Sequence, residues 1–158
     1  MLLLSAWSID AMAQTIILNL EVGIKSGATA LVTTAKLCPH RPLEDGCIHV
    51  AQGQSPTIRY ILASEHCQDS DGRTKPWLLN GMQIAMIDEE WGTYPLPAPV
   101  ATDFNANAAT GWVDGVPTSA TINISDQNSK KYTVFYRVRA ICEGTKIYLD
   151  PRIDNDGF

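Results

Sequence analysis

The segment KYTVFYRVRAIC, residues 131–142, restricts the fold of this chain more than any other feature of its sequence. Its even-numbered positions hold only apolar or aromatic residues, whereas its odd-numbered positions include Thr133, Arg137 and Arg139. Because successive side chains of a strand point to opposite faces, one face of this segment is apolar and the other is mixed. The alternation predicts a long β-strand with one face in the core.

Shorter runs rich in Val, Ile, Thr and Tyr recur between Gly, Pro, Asn and Asp residues, a pattern typical of all-β proteins. The predicted strands are 15–22, 28–37, 48–50, 57–63, 77–87, 111–113, 119–124, 131–142 and 146–149. Within 77–87, Asn80 and Gly81 predict a tight turn, since glycine supplies the positive φ that such turns need. We predict an antiparallel β-sandwich of about seven to eight strands.

The length of 158 residues suits one domain with a sizeable core, which we place at residues 14–158. Its architecture is predicted as immunoglobulin-like. A true immunoglobulin domain is disfavoured, because Ala140 stands two residues before Cys142, where that family has a corner tyrosine. The formal net charge is −5 and there is no run of basic residues, so we do not expect nucleic acid as a partner.

The N-terminal sequence MLLLSAWSIDAMAQ is interpreted as a truncated signal peptide at residues 1–13. An apolar stretch precedes AMA at 11–13, the small-x-small pattern that signal peptidases cleave after. No basic residue precedes Leu2 and Asp10 interrupts the apolar stretch, so an ordinary cytosolic N-terminus is the alternative. The stretch is too short and too polar to span a bilayer. We expect a secreted or periplasmic protein without a transmembrane segment, with the cytoplasm as the alternative location.

Four cysteines form an even set that three disulfide connectivities can satisfy. We favour Cys38–Cys47 and Cys67–Cys142. The segment CPHRPLEDGC has two prolines and an Asp-Gly, so its ends can fold back on each other. In a chain-entropy model the shorter loop stabilises the fold by about 2–3 kcal/mol and the longer one by about 4–5 kcal/mol. Four buried free thiols in a cytosolic protein are the alternative.

The closing stretch IYLDPRIDNDG is predicted to end the last strand near Asp150 and to continue as a solvated tail. Proline lacks the backbone donor that a central ladder needs, so Pro151 should stop the pairing. Neither this stretch nor DSDG at 69–72 has the acid spacing and distal glutamate of a calcium-binding loop. We therefore expect no stoichiometric zinc or calcium, and a change of about 1 kcal/mol or less on removing residues 154–158.

Four segments, taken in order, carry a likeness to a known family: TIILNLEV, IHVAQGQSPTIRYIL, INISDQN and YLDPRIDN. Together they resemble the DP-EP family of small uncharacterised bacterial proteins, over most of the chain after residue 14. The most motif-like part is DPRI with the following Asn155. That family has no established activity or catalytic residues, so the resemblance implies no function. The four cysteines, the leader and a longer proline-rich insertion are departures from the family pattern.

Two local clusters suggest chemistry. The acids Asp88–Glu90 raise the hypothesis of a glycan-acting hydrolase, since glycosidases use two carboxyl groups across a cleft. Three histidines stand beside cysteines, and in a strand Cys47 and His49 would share a face and could bind zinc. No CxxC, HxxxH or GxSxG spacing supports a zinc site or a serine nucleophile.

Four aromatic residues flank or lie within predicted loops, chiefly the proline-rich segment 88–110: Trp77, Trp91, Tyr94 and Trp112. Rings on loops can stack on sugars or anchor a protein partner, and core packing is the alternative. We predict a non-enzymatic extracytoplasmic binding or structural module for an unidentified protein or carbohydrate ligand, with these four as candidate binding residues. No catalytic residue, metal or cofactor is assigned. The hydrolase and a Cys/His metal-binding protein remain as alternatives.

Overall fold

The computed structural model describes residues 16–118 and 120–157, except for the side chains at 90, 91, 117 and 118. Within these residues it has fourteen strands and one short helix, numbered in chain order. The elements are β1 Ile17–Ile24, β2 Leu31–Val32, β3 Ile48–Val50, β4 Thr57–Leu62, β5 His66–Gln68, β6 Thr74–Pro76, β7 Leu78–Ile87, β8 Glu90–Trp91, α1 Ala98–Asp103, β9 Trp112–Val113, β10 Val116–Thr118, β11 Thr121–Ser125, β12 Lys131–Cys142, β13 Thr145–Leu149 and β14 Arg152–Asp156.

Two main sheets form an all-β sandwich, which confirms the predicted fold class. The smaller sheet has the strand order β10-β11-β4-β1-β2. The larger sheet has the order β3-β14-β12-β7-β8, with β13 also paired to β12 and β9 to β7. Strands β5 and β6 form a separate hairpin between residues 63 and 77, where no strand was predicted.

The core lies between the two sheets and is centred on β12. The even-numbered residues of β12 are buried, as the alternation predicts. Facing them from the smaller sheet are Ile58, Tyr60 and Leu62 of β4, all within one hydrophobic cluster. The rings of Tyr60 and Tyr136 meet edge to face at 6.1 Å, and the Tyr60 hydroxyl donates to the Tyr136 hydroxyl at 2.5 Å. The sandwich therefore has a single shared core.

Two strand pairs are parallel, which the expectation of a purely antiparallel sandwich did not include. Strand β1 runs parallel to β4, and β14 runs parallel to β3. Parallel neighbours need a crossover instead of a hairpin, and the long segment 33–56 carries the chain from β2 to β4 by way of β3. The first two strands, β1 and β2, are paired at two positions only.

The prediction of a tight turn at Asn80-Gly81 is wrong, because β7 continues through these residues. The register between β7 and β12 shifts between Val138 and Ala140, which is a β-bulge. Gly81 has φ of 101°, a conformation that favours glycine. The glycine thus serves a bulge within one long strand.

The prediction of a solvated C-terminal tail is also wrong. Pro151 separates β13 from β14, but its carbonyl still accepts a hydrogen bond from the Tyr136 amide at 3.0 Å. Strand β14 then pairs with β12 on one side and β3 on the other. Ile153 is 0% exposed and Asn155 is 2% exposed. Proline removes one donor only, so the ladder resumes at the next residue.

Both favoured disulfides are present, Cys38–Cys47 and Cys67–Cys142, with Cα–Cα distances of 5.6 and 6.3 Å. The first closes the loop that leads into β3, and we call residues 38–47 the stapled loop. The second ties the β5–β6 hairpin to the end of β12. Disulfides form and persist in oxidising compartments, which agrees with an extracytoplasmic location.

Among the described residues, none of the helical structure reaches the length and apolar character that crossing a membrane requires.

Candidate functional site

A cleft of about 460 Å³ lies on the outer face of the larger sheet, beside the stapled loop. A smaller hollow of about 260 Å³ adjoins it, sharing Arg41, Asp88 and Thr133 and adding Phe135. We call both together the polar cleft. Its side chains come from the stapled loop, the β7–β8 turn and strands β3, β12 and β14: His40, Arg41, His49, Asp88, Lys131, Thr133, Phe135, Asp154 and Asp156.

Strand register brings these side chains together. Thr133 of β12 lies opposite Asp154 of β14, and Asp154 in turn lies beside His49 of the parallel strand β3. Directly paired residues of neighbouring strands place their side chains on the same face of a sheet. Lys131 and Asp156 form the next outward-facing pair. The cleft floor is thus set by the backbone of three adjacent strands.

Two pairs of polar side chains lie within the polar cleft. His49 Nε2 lies 2.9 Å from Asp156 Oδ2, and Arg41 Nε lies 3.6 Å from Asp154 Oδ2. The Thr133 hydroxyl donates to the other oxygen of Asp154 at 3.0 Å. Each partner restricts the rotamers of the other, so the polar atoms are held in place before any ligand arrives.

The stapled loop forms one wall of the cleft. Its disulfide holds His40 against His49, with ring centroids 5.4 Å apart. Below it, the nearly buried Arg152 lies 3.1 Å from Glu44 and 3.6 Å from Asp154. This arrangement fixes the loop to β14 by charge as well as by the disulfide.

Of the acidic cluster Asp88–Glu90, the first two residues form the β7–β8 turn at the edge of the cleft, and Glu90 begins β8. Asp88 and Glu89 have φ of 46° and 76°, which makes a sharp turn. The Asp88 carboxylate accepts a hydrogen bond from the Thr133 amide at 2.8 Å. One of its two oxygen atoms therefore stabilises the turn. The side chain of Glu90 lies outside the described residues.

The four predicted aromatic residues occupy different environments. Trp77 is 3% exposed and packs in the core. Trp112 is half-buried beneath the Arg139 guanidinium, which lies 4.1 Å from a ring centroid. Tyr94 is 37% exposed, and its hydroxyl donates to a main-chain carbonyl, while burial raises its pKa. The side chain of Trp91 lies outside the described residues.

The predicted Cys/His ligands are placed together only in part. The sulfur atoms of Cys38 and Cys47 lie within 4.8 Å of an Asp154 oxygen. They are bonded to each other, however, so neither offers the thiolate that zinc requires. Cys67 is likewise bonded to Cys142, and His66 lies in the distant β5–β6 hairpin.

A second group of polar residues is buried on the inner side of the larger sheet. We call it the buried polar cluster: Asp103, Asp126, Asn128, Tyr132 and Asn155. The Tyr132 hydroxyl donates to Asp103 Oδ2 at 2.7 Å, and the Asn155 amide donates to Asp126 Oδ1 at 3.1 Å. Burial, and more weakly the charge of Asp103, raise the pKa of Asp126 to about 7, against hydrogen bonds from Asn128 and Asn155 that lower it.

The sequence contained little signal for either group. Asp126 stands in SDQNSK, which reads as a surface turn, yet it is 1% exposed. Thr133 and Asp154 join the cleft through the pairing of β14, which the sequence interpretation treated as a tail. Asp126 lies in the segment INISDQN and Asn155 in the segment YLDPRIDN, and the two side chains meet in the buried polar cluster.

Comparison with known proteins adds no assignment to this geometry. No family model matches the chain, and no curated protein does either.

Proposed function

We propose that this chain is an extracytoplasmic, non-enzymatic binding module that takes a carbohydrate in the polar cleft. The observation that carries the proposal is the pairing of polar groups within the cleft, through an ion pair between Arg41 and Asp154 and a hydrogen bond between His49 and Asp156. A charged ligand would have to compete with these pairs. An uncharged ligand with many hydroxyl groups can hydrogen-bond to both partners of each pair without separating them.

The chemistry of the lining suits a polyhydroxylated ligand. Carboxylates accept hydrogen bonds from hydroxyl groups, and guanidinium and ammonium groups donate to them, so both roles are present within one cleft. The half-buried Phe135 adds a ring beside these groups, flanked by the Arg152 guanidinium at 5.8 Å from its centroid. A flat apolar surface next to fixed polar atoms is the combination by which proteins hold sugar rings.

An extracytoplasmic location is part of the proposal. Two disulfides support it. The predicted signal peptide 1–13 lies outside the described residues, and cleavage after Ala13 would leave Gln14 as the first residue of the mature protein. Membership of the DP-EP family is proposed on the four segments quoted above. Mass spectrometry of the exported protein checks the N-terminus, and an intact residue 1–13 would contradict export by this signal.

Glycan-array binding followed by calorimetry tests the ligand class. We expect at least one neutral oligosaccharide to bind, and His49→Ala and Lys131→Ala each to weaken binding about tenfold, as for the loss of one or two hydrogen bonds. The matched control is Trp112→Ala on the same face outside the cleft, which should keep wild-type affinity. Binding abolished by Trp112→Ala but retained by His49→Ala would contradict the assignment to the cleft.

The rival function is hydrolysis of a glycan by the Asp88–Glu90 cluster. It predicts that a bound oligosaccharide is cleaved, and that Asp88→Asn or Glu90→Gln stops the cleavage. The binding module predicts that the oligosaccharide is recovered intact after prolonged incubation. Chromatography of the incubated ligand distinguishes the two functions. Release of reducing ends by the wild type that is lost in Asp88→Asn would support the hydrolase and contradict the binding module.

A further inference from the structure

The buried polar cluster holds two carboxylates in the interior of the domain. Asp103 is 0% exposed and Asp126 is 1% exposed. Among the described residues, neither of these two carboxylates forms an ion pair with a basic side chain. Burying an ionised carboxylate without a compensating charge is strongly unfavourable. Two such groups near each other therefore require either a bound proton or a positive charge from outside the chain.

Three buried oxygen atoms of the cluster lack a hydrogen-bond donor. They are Asp103 Oδ1, Asp126 Oδ2 and Asn155 Oδ1. The other polar atoms of the same side chains are satisfied, since Asp103 Oδ2 accepts from Tyr132 and Asp126 Oδ1 accepts from Asn155. Native proteins seldom leave buried acceptors without a partner. The free oxygens thus share a specific requirement that the chain itself does not meet.

The three oxygen atoms belong to one neighbourhood. Asn155 is hydrogen-bonded to Asp126. Tyr132, whose hydroxyl donates to Asp103, is paired directly with Asn155 across β12 and β14. The surrounding backbone is tied down as well, because the Ser129 amide donates to Asp103 Oδ2 and the Asn128 amide donates to Asp126 Oδ1. The ligand atoms are therefore held by a preformed frame.

We propose that Asp103, Asp126 and Asn155 bind one calcium ion, which joins the end of α1, the β11–β12 turn and strand β14. Calcium takes carboxylate and amide oxygens in a flexible shell and fills its other positions with main-chain carbonyls or water. Magnesium requires a stricter octahedron, and zinc prefers nitrogen and sulfur. The two carboxylates balance the charge of a divalent ion.

A shared proton is the competing explanation, and it accounts for less of the geometry. One proton between Asp103 Oδ1 and Asp126 Oδ2 would satisfy these two acceptors. That proton would leave the carbonyl oxygen of Asn155 without a donor. A cation bound among the three side chains would be a partner for all three oxygen atoms.

The proposed ligands differ from the candidate calcium ligands in the sequence. The expectation of no calcium rested on DSDG and on the closing aspartates, where all ligands would have to come from one loop. Here the ligands come from three segments that the fold brings together. The site lies behind the polar cleft, because the inward pair Tyr132 and Asn155 stands between two outward pairs of cleft residues on β12 and β14. The calcium proposal does not rest on carbohydrate binding.

Thermal unfolding of the full chain with and without calcium tests the proposal. After chelation and dialysis, calcium at about 100 times its Kd should raise Tm by about 5–10 °C. Asp103→Asn and Asp126→Asn should lose this response. The matched control is the exposed Asp114→Asn, which should respond like the wild type.

Terbium luminescence provides a second readout that does not depend on the variants folding. Wild-type protein should bind one terbium ion per chain, with emission excited through nearby aromatic rings and abolished by added calcium. A wild type that shows neither emission nor a Tm response to calcium overturns the proposal in favour of the shared proton. A calcium response that persists in a folded Asp126→Asn variant overturns it as well, since the ion would lie elsewhere.

Discussion

The two buried tyrosine hydroxyls show how a single polar contact shapes this core. Tyr60 and Tyr136 come from opposite sheets, and each provides the hydrogen-bond partner of the other within the hydrophobic core. A buried hydroxyl without a partner is unfavourable, whereas the loss of both hydroxyls together is close to neutral. The pair therefore favours one alignment of the two sheets over others.

A double-mutant cycle tests this coupling. We expect Tyr136→Phe and Tyr60→Phe each to lower the free energy of unfolding by about 1–3 kcal/mol, because each leaves one buried hydroxyl unpaired. The double variant should lose clearly less than the sum of the two. Urea denaturation measures all three, with the half-buried Tyr148→Phe as control within about 0.5 kcal/mol of the wild type. Additive effects would show that the two hydroxyls do not interact.

Alkaline pH should act on the same pair. Burial raises the pKa of Tyr60 well above its usual range and raises that of Tyr136 too. In the unfolded chain both deprotonate near pH 10, so the folded state holds its protons longer and loses stability as the pH rises above about 10. The variant with phenylalanine at both positions should show a shallower loss between pH 9 and 11 than the wild type, measured by urea midpoints. An equal slope would contradict the raised values.

At the scale of elements, β14 decides how the C-terminal residues behave. It lies between β12 and β3, so its removal exposes two ladders and leaves β3 without its main partner. It also places Gly157, whose amide donates to the Asn128 side chain at 2.9 Å. The end of the chain is thus an interior part of the larger sheet.

Truncation after Ile153 should destabilise the domain severely. We expect a loss of more than about 3 kcal/mol, because the change removes the buried Asn155 and most of the β14 ladder. The milder Ile153→Ala should lose about 2–5 kcal/mol, whereas the exposed Val116→Ala should stay within about 0.5 kcal/mol. Chemical denaturation compares them. A truncation that changes the free energy of unfolding by about 1 kcal/mol or less would support the earlier prediction that these residues form a solvated tail.

For the whole molecule, the two disulfides act over very different distances. Cys38–Cys47 closes a loop with a sequence separation of 9, whereas Cys67–Cys142 spans 75. In the chain-entropy model the first stabilises by about 2–3 kcal/mol and the second by about 4–5 kcal/mol. Replacing both cysteines of a pair by alanine should therefore lower the unfolding midpoint more for the second pair. If removal of Cys38–Cys47 lowers the midpoint more, this disulfide stabilises the sandwich by more than the loss of chain entropy in the unfolded state explains.

The sequence predicted what depends on local alternation and missed what depends on long-range pairing. The alternation in 131–142 was sufficient to identify β12 and its buried face. Gly81 signalled a special backbone conformation, but only the partner strand decides between a turn and a bulge. Pro151 indicated a stop, and the sequence could not show that β12 and β3 leave a place for one more strand. The polar cleft and the buried polar cluster depend on that strand, so both were missed with it.

The central claim, that the polar cleft is the binding surface, is tested most directly by amide NMR of the 15N-labelled protein during titration with a bound oligosaccharide. We predict that the largest shift changes fall on His49, Thr133, Asp154 and neighbours in the stapled loop, while Trp112 and Tyr94 change little. Shift changes centred on the segment 88–110 away from Asp88, with His49 and Asp154 unmoved, would contradict the claim and return the site to the aromatic residues of that segment.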